Sequence, residues 1–153
     1  MNRGVFITGT DTGVGKTRVG AALAWQLSHR GLKVRPRKPA ESGCLTGAGD
    51  LIPQDAIVLR EAAGGREALG RVCPYRLRAP LSPERAAQLE GVPLTLELLH
   101  DACVAELRSA DFLLVEGAGG FYSPIAADAL NADLAEKLGL PVLVVVPSIW
   151  TPT

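Results

Sequence analysis

A chain of 153 residues, 47% hydrophobic and 5% aromatic, is long enough to bury the core of one domain over residues 1–153. Its 16 basic and 16 acidic residues cancel, so no global field draws it to nucleic acid or to an anionic membrane, and any anion binding must be local. Cys44, Cys73 and Cys103 are odd in number, widely spaced and form no C-x-x-C pair, which predicts free thiols in a reducing cytoplasm rather than a disulfide framework or a zinc site. The sequence opens on no leader pattern and holds no apolar run of spanning length, so a cytoplasmic protein without membrane contact is expected.

In chain order, residues 4–8 are short, apolar and β-branched, the pattern of a buried strand. Thr8-Gly9-Thr10-Asp11-Thr12-Gly13-Val14-Gly15-Lys16-Thr17 follows, and a helical period over residues 16–30 comes next, with Gly31 as its stop signal. Strand, glycine-rich turn, Gly-Lys-Thr and helix make a phosphate-binding loop. The glycines let the amides of Gly13, Val14 and Gly15 turn inward on phosphate oxygens, Lys16 adds a mobile cation, and Thr17 offers a hydroxyl to Mg²⁺. The new helix also points the positive end of its dipole at the anion. Gly9 and Gly15 enclose five residues where the usual motif has four, so the loop is a variant.

Lys33 to Lys38 reads as a second strand ended by Pro39, and Ala40 to Pro53 as a glycine-rich, mobile loop. Residues 53–63 form a helix opened by proline. Arg71 to Leu77 is a weak strand candidate, Ser82 caps a short helix over 83–89, and Thr95 to Ser109 is helical. A buried strand over 112–115, a helix over 130–138 and the β-branched run of 141–146 complete the pattern. Apolar strands alternating with helices predict an α/β fold, an open parallel sheet of the P-loop NTPase kind covered by helices on both faces. His29 and His100 are isolated and read as surface or helix-end residues.

Glu116 falls at the C-terminal end of the 112–115 strand, the edge where open parallel sheets bind ligands, and glycines follow it. Asp55 lies in the first turn of its helix, where local sequence suits a metal ligand and a dipole-favoured acid equally. Lys38 ends the second strand and points to the same edge. A strand-end lysine is ordinarily just solvated; opposite a triphosphate it would neutralise charge developing in phosphoryl transfer.

At GTDTGVGKT (9–17), KPAESG (38–43), QDA (54–56), PYRLRAPLSP (74–83), VEGAGGFYSP (115–124) and LPVLVVV (140–146) the chain resembles the dethiobiotin synthetases, ATP-dependent ligases of biotin synthesis. The resemblance implies that a diaminopelargonate amine takes up CO₂ as a carbamate, that ATP phosphorylates the carbamate, and that the second amine closes a cyclic urea. It implies Lys16 and Lys38 as catalytic residues, Thr12, Gly13, Val14, Gly15, Lys16, Thr17, Asp55, Glu116 and Gly119 around ATP, and Thr17, Asp55 and Glu116 around Mg²⁺. Thr12, Lys38, Ser42 and Gly119 would meet the substrate, and the family assembles as a homodimer.

The family also carries a glycine-containing loop that binds the substrate carboxylate and supports the dimer, an adenine-recognising asparagine segment and further strands. Here Pro147-Ser148-Ile149-Trp150-Thr151-Pro152-Thr153 stands in place of the first, an atypical tail. The expected sheet is therefore incomplete at its C-terminal side, and the expected synthetase is a poor one. Two alternatives share the loop: a cobyrinate-type amidoligase synthetase domain, and a nucleotide-binding remnant without turnover. The partitioning ATPases, which need a lysine where Asp11 stands, do not fit.

Overall fold

The structure, a computed structural model, describes residues 3–148. Its elements run β1 (Gly4–Gly9), α1 (Lys16–His29), β2 (Val34–Arg37), β3 (Ala40–Glu41), β4 (Leu45–Gly47), β5 (Asp50–Ile52), α2 (Gln54–Ala62), α3 (Leu69–Val72) and β6 (Tyr75–Arg76). There follow α4 (Pro83–Glu90), α5 (Leu96–Val104), β7 (Phe112–Gly120), β8 (Pro124–Ala126), β9 (Ala129–Leu130), α6 (Asn131–Leu138) and β10 (Val142–Val145).

Four of these strands form the central sheet, in the order β10-β1-β7-β2 and parallel throughout. Side chains alternate across it, and both faces are apolar. Val5, Ile7 and Leu114 pack with Ala24 of α1 and Leu59 of α2 on one face. Phe6, Leu113 and Val115 pack with α4, α5 and α6 on the other, through Ala86, Leu99 and Leu134 among others. Each buried leucine or isoleucine contributes about 2 kcal/mol of transfer free energy, so the two layers hold the sheet from both sides. The expected α/β architecture is present.

The two edges of the sheet differ. Along β10, Leu143 and Val145 reach the α1 layer, while Val142, Val144 and Val146 on the alternate positions are 39%, 53% and 59% exposed. Along β2 every residue is buried, Pro36 lacks an N–H to offer, and the chain beyond it is tied to the α3 segment by Lys38 N donating to Val72 O at 2.9 Å. Pro147 and Ser148 are exposed and irregular, and residues 149–153, the rest of the tail singled out above, lie outside the described residues. No helix among the described residues is long and apolar enough to cross a membrane.

Four sequence expectations need correction. The segment Ala40–Pro53 is not an aperiodic loop: β3 pairs with β6, and β4 and β5 form an antiparallel hairpin. Its two central residues, Ala48 and Gly49, both have positive φ, 51° and 83°, which is the backbone of a tight two-residue turn. The expected helix over 95–109 ends at Val104, because Arg37 and Arg35 of β2 take the carbonyls of Ala105 and Glu106 and Glu106 turns to φ 59°. Residues 71–77 split into the end of the α3 turn and the two-residue strand β6. Finally, the strand containing Glu116 runs on to Gly120, so Glu116 is not at its end.

Candidate active site

The register explains why Glu116 still reaches the ligand edge. β2 pairs with β7 from Val34↔Phe112 to Arg37↔Val115 and then stops. Lys38 and Glu116 are the next residue on each strand, just past the last rung, so the ladder delivers them side by side. Lys38 Nζ donates to Glu116 Oε1 at 2.9 Å and to Gly117 O at 2.9 Å. Thr17, in the first turn of α1, donates its hydroxyl to the same Oε1 at 2.8 Å. Asp55, in the first turn of α2, closes on Lys38 from the other side, Oδ2 to Nζ 3.4 Å. Residues from four elements, far apart in sequence, thus meet at one point.

The electrostatics are those of a buried ion cluster. The Lys38 and Glu116 side chains are only 4% and 1% exposed. Burial pulls the Lys38 ammonium toward deprotonation, but Glu116 and Asp55 outweigh it and hold its pKa above the ordinary lysine value. Lys38 is therefore a fixed cation at neutral pH, suited to stabilising negative charge and unsuited to accepting a proton. Lys16, also buried, has its pKa lowered by burial and by Lys38, against Glu116, Asp55 and Asp11. Its ammonium lies against the loop it serves, donating to Asp11 O at 2.9 Å.

Glu116 Oε2 is buried and has no hydrogen-bond partner. With Oε1 on the Thr17 hydroxyl and Asp55 on the same Lys38 that Oε1 meets, the hydroxyl and the two carboxylates make a donor set of hard oxygens that fits a divalent cation. The loop is open for an anion as well: α1 begins at Gly15, in the left-handed region at φ 104°, which supplies no side-chain cap.

These groups line a cleft of about 670 Å³ that also takes in Thr12, Gly13, Ser42 and Gly119. Gly15, Lys16, Thr17, Lys38, Asp55 and Glu116 complete the set, so nearly all of the residues singled out in sequence face one space. Val14 differs: its side chain packs against the α1-side core, leaving only its backbone for a ligand. Ser42 spends its hydroxyl on Leu81 O across the mouth of the cleft. A larger hollow of about 880 Å³ opens at the opposite edge, but its charges satisfy one another, Arg35 with Glu67 and Asp111, Arg71 with Glu106. The three cysteines are free and buried, and burial raises each thiol, Cys103 to about 12, which disfavours the thiolate. Both histidines lie away from the cleft, His29 stacked on Trp25 and His100 beside Asp101.

Two structural contributors escaped the sequence reading. Asn131 is fully buried and binds the strand that carries Glu116: its Oδ1 accepts from Ala118 N at 3.0 Å, and its Nδ2 donates to Ala118 O, Gly120 O and Ser123 O. Glu41 is buried too, and accepts from Asp55 N and Ala56 N. A signal for Glu41 was available: Ile52 and Pro53 before α2 carry no side-chain acceptor for its first-turn N–H groups, so an acceptor from elsewhere is called for.

A family profile described as an AAA domain matches residues 3–149. The protein named ATP-dependent dethiobiotin synthetase BioD in Anaeromyxobacter dehalogenans (strain 2CP-C) is 48% identical over 143 residues, 94% of this chain and 62% of its own length. Its namesake in Ruthia magnifica subsp. Calyptogena magnifica is 45% identical over 144 residues, 94% of this chain and 65% of its own length. A third, in Vesicomyosocius okutanii subsp. Calyptogena okutanii (strain HA), is 44% identical over 144 residues, with 94% and 64% covered. The chain thus spans 62–65% of the length of these curated relatives. With the profile running from the first rung of the sheet to beyond its last strand, the chain belongs to the family of AAA domains.

Proposed function

We propose that the chain supplies the phosphate- and metal-binding part of an ATP-dependent dethiobiotin synthetase. The observation that carries this reading is the cluster in which Thr17 and Lys38 meet Glu116 and Asp55 meets Lys38, beside a phosphate loop, in a chain similar to proteins of that name. In the reaction, one amine of 7,8-diaminopelargonate takes up CO₂ as a carbamate. A carbamate oxygen attacks the γ-phosphorus of ATP, the bond to ADP breaks, and a carbamic–phosphoric anhydride results. The second amine attacks its carbonyl carbon, phosphate leaves, and the cyclic urea closes with loss of a proton.

Lys16 and the amides of Gly13, Val14 and Gly15 hold the phosphates, with Thr12 donating beside them. Lys38 faces the carbamate and the γ-phosphoryl group, where its fixed charge stabilises the oxygens that become more negative. Ser42 and Gly119 meet the diamine. A Mg²⁺ ion held by Thr17, Asp55 and Glu116 would supply the divalent charge that phosphoryl transfer needs. A homodimer and a cytoplasmic location belong to the same reading, supported by the exposed valine face and the unbridged cysteines.

The test is an assay with diaminopelargonate, bicarbonate and Mg-ATP, reading both phosphate release and the cyclic urea. Lys16→Ala removes a charge-assisted phosphate contact and should cost about 2 kcal/mol or more in ATP binding or turnover. Unchanged affinity together with unchanged turnover rules the loop out. A second reading is nucleotide binding without ring closure. ATP binding with no cyclic urea formed would select it.

A further inference from the structure

Asp55 is held where it is by something other than its own side chain. That side chain is 45% exposed and pairs with Lys38 at 3.4 Å. The helix behind it, α2, starts at Pro53, whose ring offers no acceptor to the first-turn N–H groups. Glu41 fills the gap from 14 residues upstream. Its Oε2 accepts from Asp55 N at 3.1 Å and its Oε1 from Ala56 N at 3.0 Å, one oxygen to each donor. A carboxylate at this end of a helix is also favoured by the dipole.

Glu41 is itself firmly seated. Its strand β3 pairs with β6, and its carbonyl accepts from Leu77 N at 2.8 Å and from the Cys44 thiol at 3.3 Å. Two residues, Pro39 and Ala40, separate it from Lys38, so one short stretch carries both the lysine of the ion cluster and the cap of the helix that brings Asp55 to it. We propose that Glu41 is a positioning residue of the metal site: by capping α2 across the tertiary structure it sets where Asp55 stands relative to Thr17 and Glu116. This rests on the metal site proposed above, and adds a residue of the cleft wall whose carboxylate is engaged by the backbone of α2.

The test compares ATP binding by calorimetry in excess Mg²⁺ and in EDTA, with circular dichroism and thermal melting to check the fold. In the unaltered protein Mg²⁺ should tighten ATP binding. In Glu41→Ala the affinity in EDTA should be unchanged, since the loop amides lie between β1 and α1 and Lys16 opens α1, none of them on α2, while the gain from Mg²⁺ should fall by about tenfold, the size of effect a strong helix cap carries. Adding Pro53→Ser to Glu41→Ala gives α2 a local cap and should restore most of that gain. If Glu41→Ala does not fold, Glu41→Gln, which keeps one acceptor oxygen, is read the same way and should lose part of the gain. A full Mg²⁺ effect in the folded Glu41 variants overturns the proposal, as does a loss that Pro53→Ser leaves unrepaired. An unaltered protein that binds ATP equally with and without Mg²⁺ overturns the metal site itself, and this role of Glu41 with it.

Discussion

A lysine and a glutamate that are both withdrawn from water can coexist only as a pair, and Lys38 and Glu116 are such a pair. Removing one member strands the other. Lys38→Met should therefore destabilise the fold by roughly 3 kcal/mol or more in urea unfolding, while Lys38→Met combined with Glu116→Leu should cost markedly less than the two single changes added. Additive costs would mean that the pair is not an energetic unit. A second buried acid gives a pH signature. Asp111 is pushed up by burial, but the Arg108 N–H, Lys33 and Arg35 outweigh that and hold its carboxyl below the usual carboxylate range. Its contribution is thus complete above the unfolded-state pKa, about 4, and disappears as pH falls through the lower folded-state value. Asp111→Asn should cost roughly 2 kcal/mol at pH 7, and the deficit should stay constant down to about pH 4 and close below it. A deficit that persists at pH 2 would assign the loss to packing. At this scale the sequence was informative about place: Gly15, Lys16 and Thr17, singled out by their motif, do line the cleft. Glu41 and Asn131 were not singled out, because an acid and an amide serve many purposes and only the tertiary fold reveals which backbone groups they satisfy.

Elements show where local pattern is enough and where it is overruled. The strands of the central sheet were legible because both faces are apolar, and α1, α2, α4 and α6 because their periods and stops are clean. The end of α5 was not, since the residues that stop it are arginines on β2, some 68 positions earlier for the Arg37–Ala105 contact. The β4–β5 hairpin was missed because Ala48, a residue with no turn signature, adopts a positive φ there. The site strand β7 offers a direct test of element-level design. A methyl group on Gly117 would collide with Asn131 Oδ1 and press on the Phe6 ring at 3.1 Å. Gly117→Ala should destabilise by about 2 kcal/mol, as overpacking does. Asn131→Ala should do so by a similar amount through buried groups left unsatisfied. Because the first change clashes with what the second removes, Gly117→Ala should cost less in the Asn131→Ala background, a coupling measurable by a double-mutant cycle. Equal costs in both backgrounds would show that the strand relaxes away from Asn131.

For the whole molecule, the consequential contrast is between the two edges of the sheet. Val142, Val144 and Val146 give the β10 side an exposed apolar row beside unpaired strand backbone. Replacing Val144, which is not part of either buried cluster, with Lys should leave stability within about 0.5 kcal/mol and lower concentration-dependent association, read by sedimentation velocity. Association that is indifferent to Val144→Lys would point to another surface. The opposite edge is closed, by Pro36 within β2 and by the α3 segment against it. Among the described residues the central sheet thus leaves one edge strand open, and in the language of polymer chemistry that sheet is a monofunctional unit. Two copies that join strand to strand through β10 use up the valency of both, so the growth of an extended sheet terminates at the first coupling, and fibres of stacked copies are denied a second end from which to propagate.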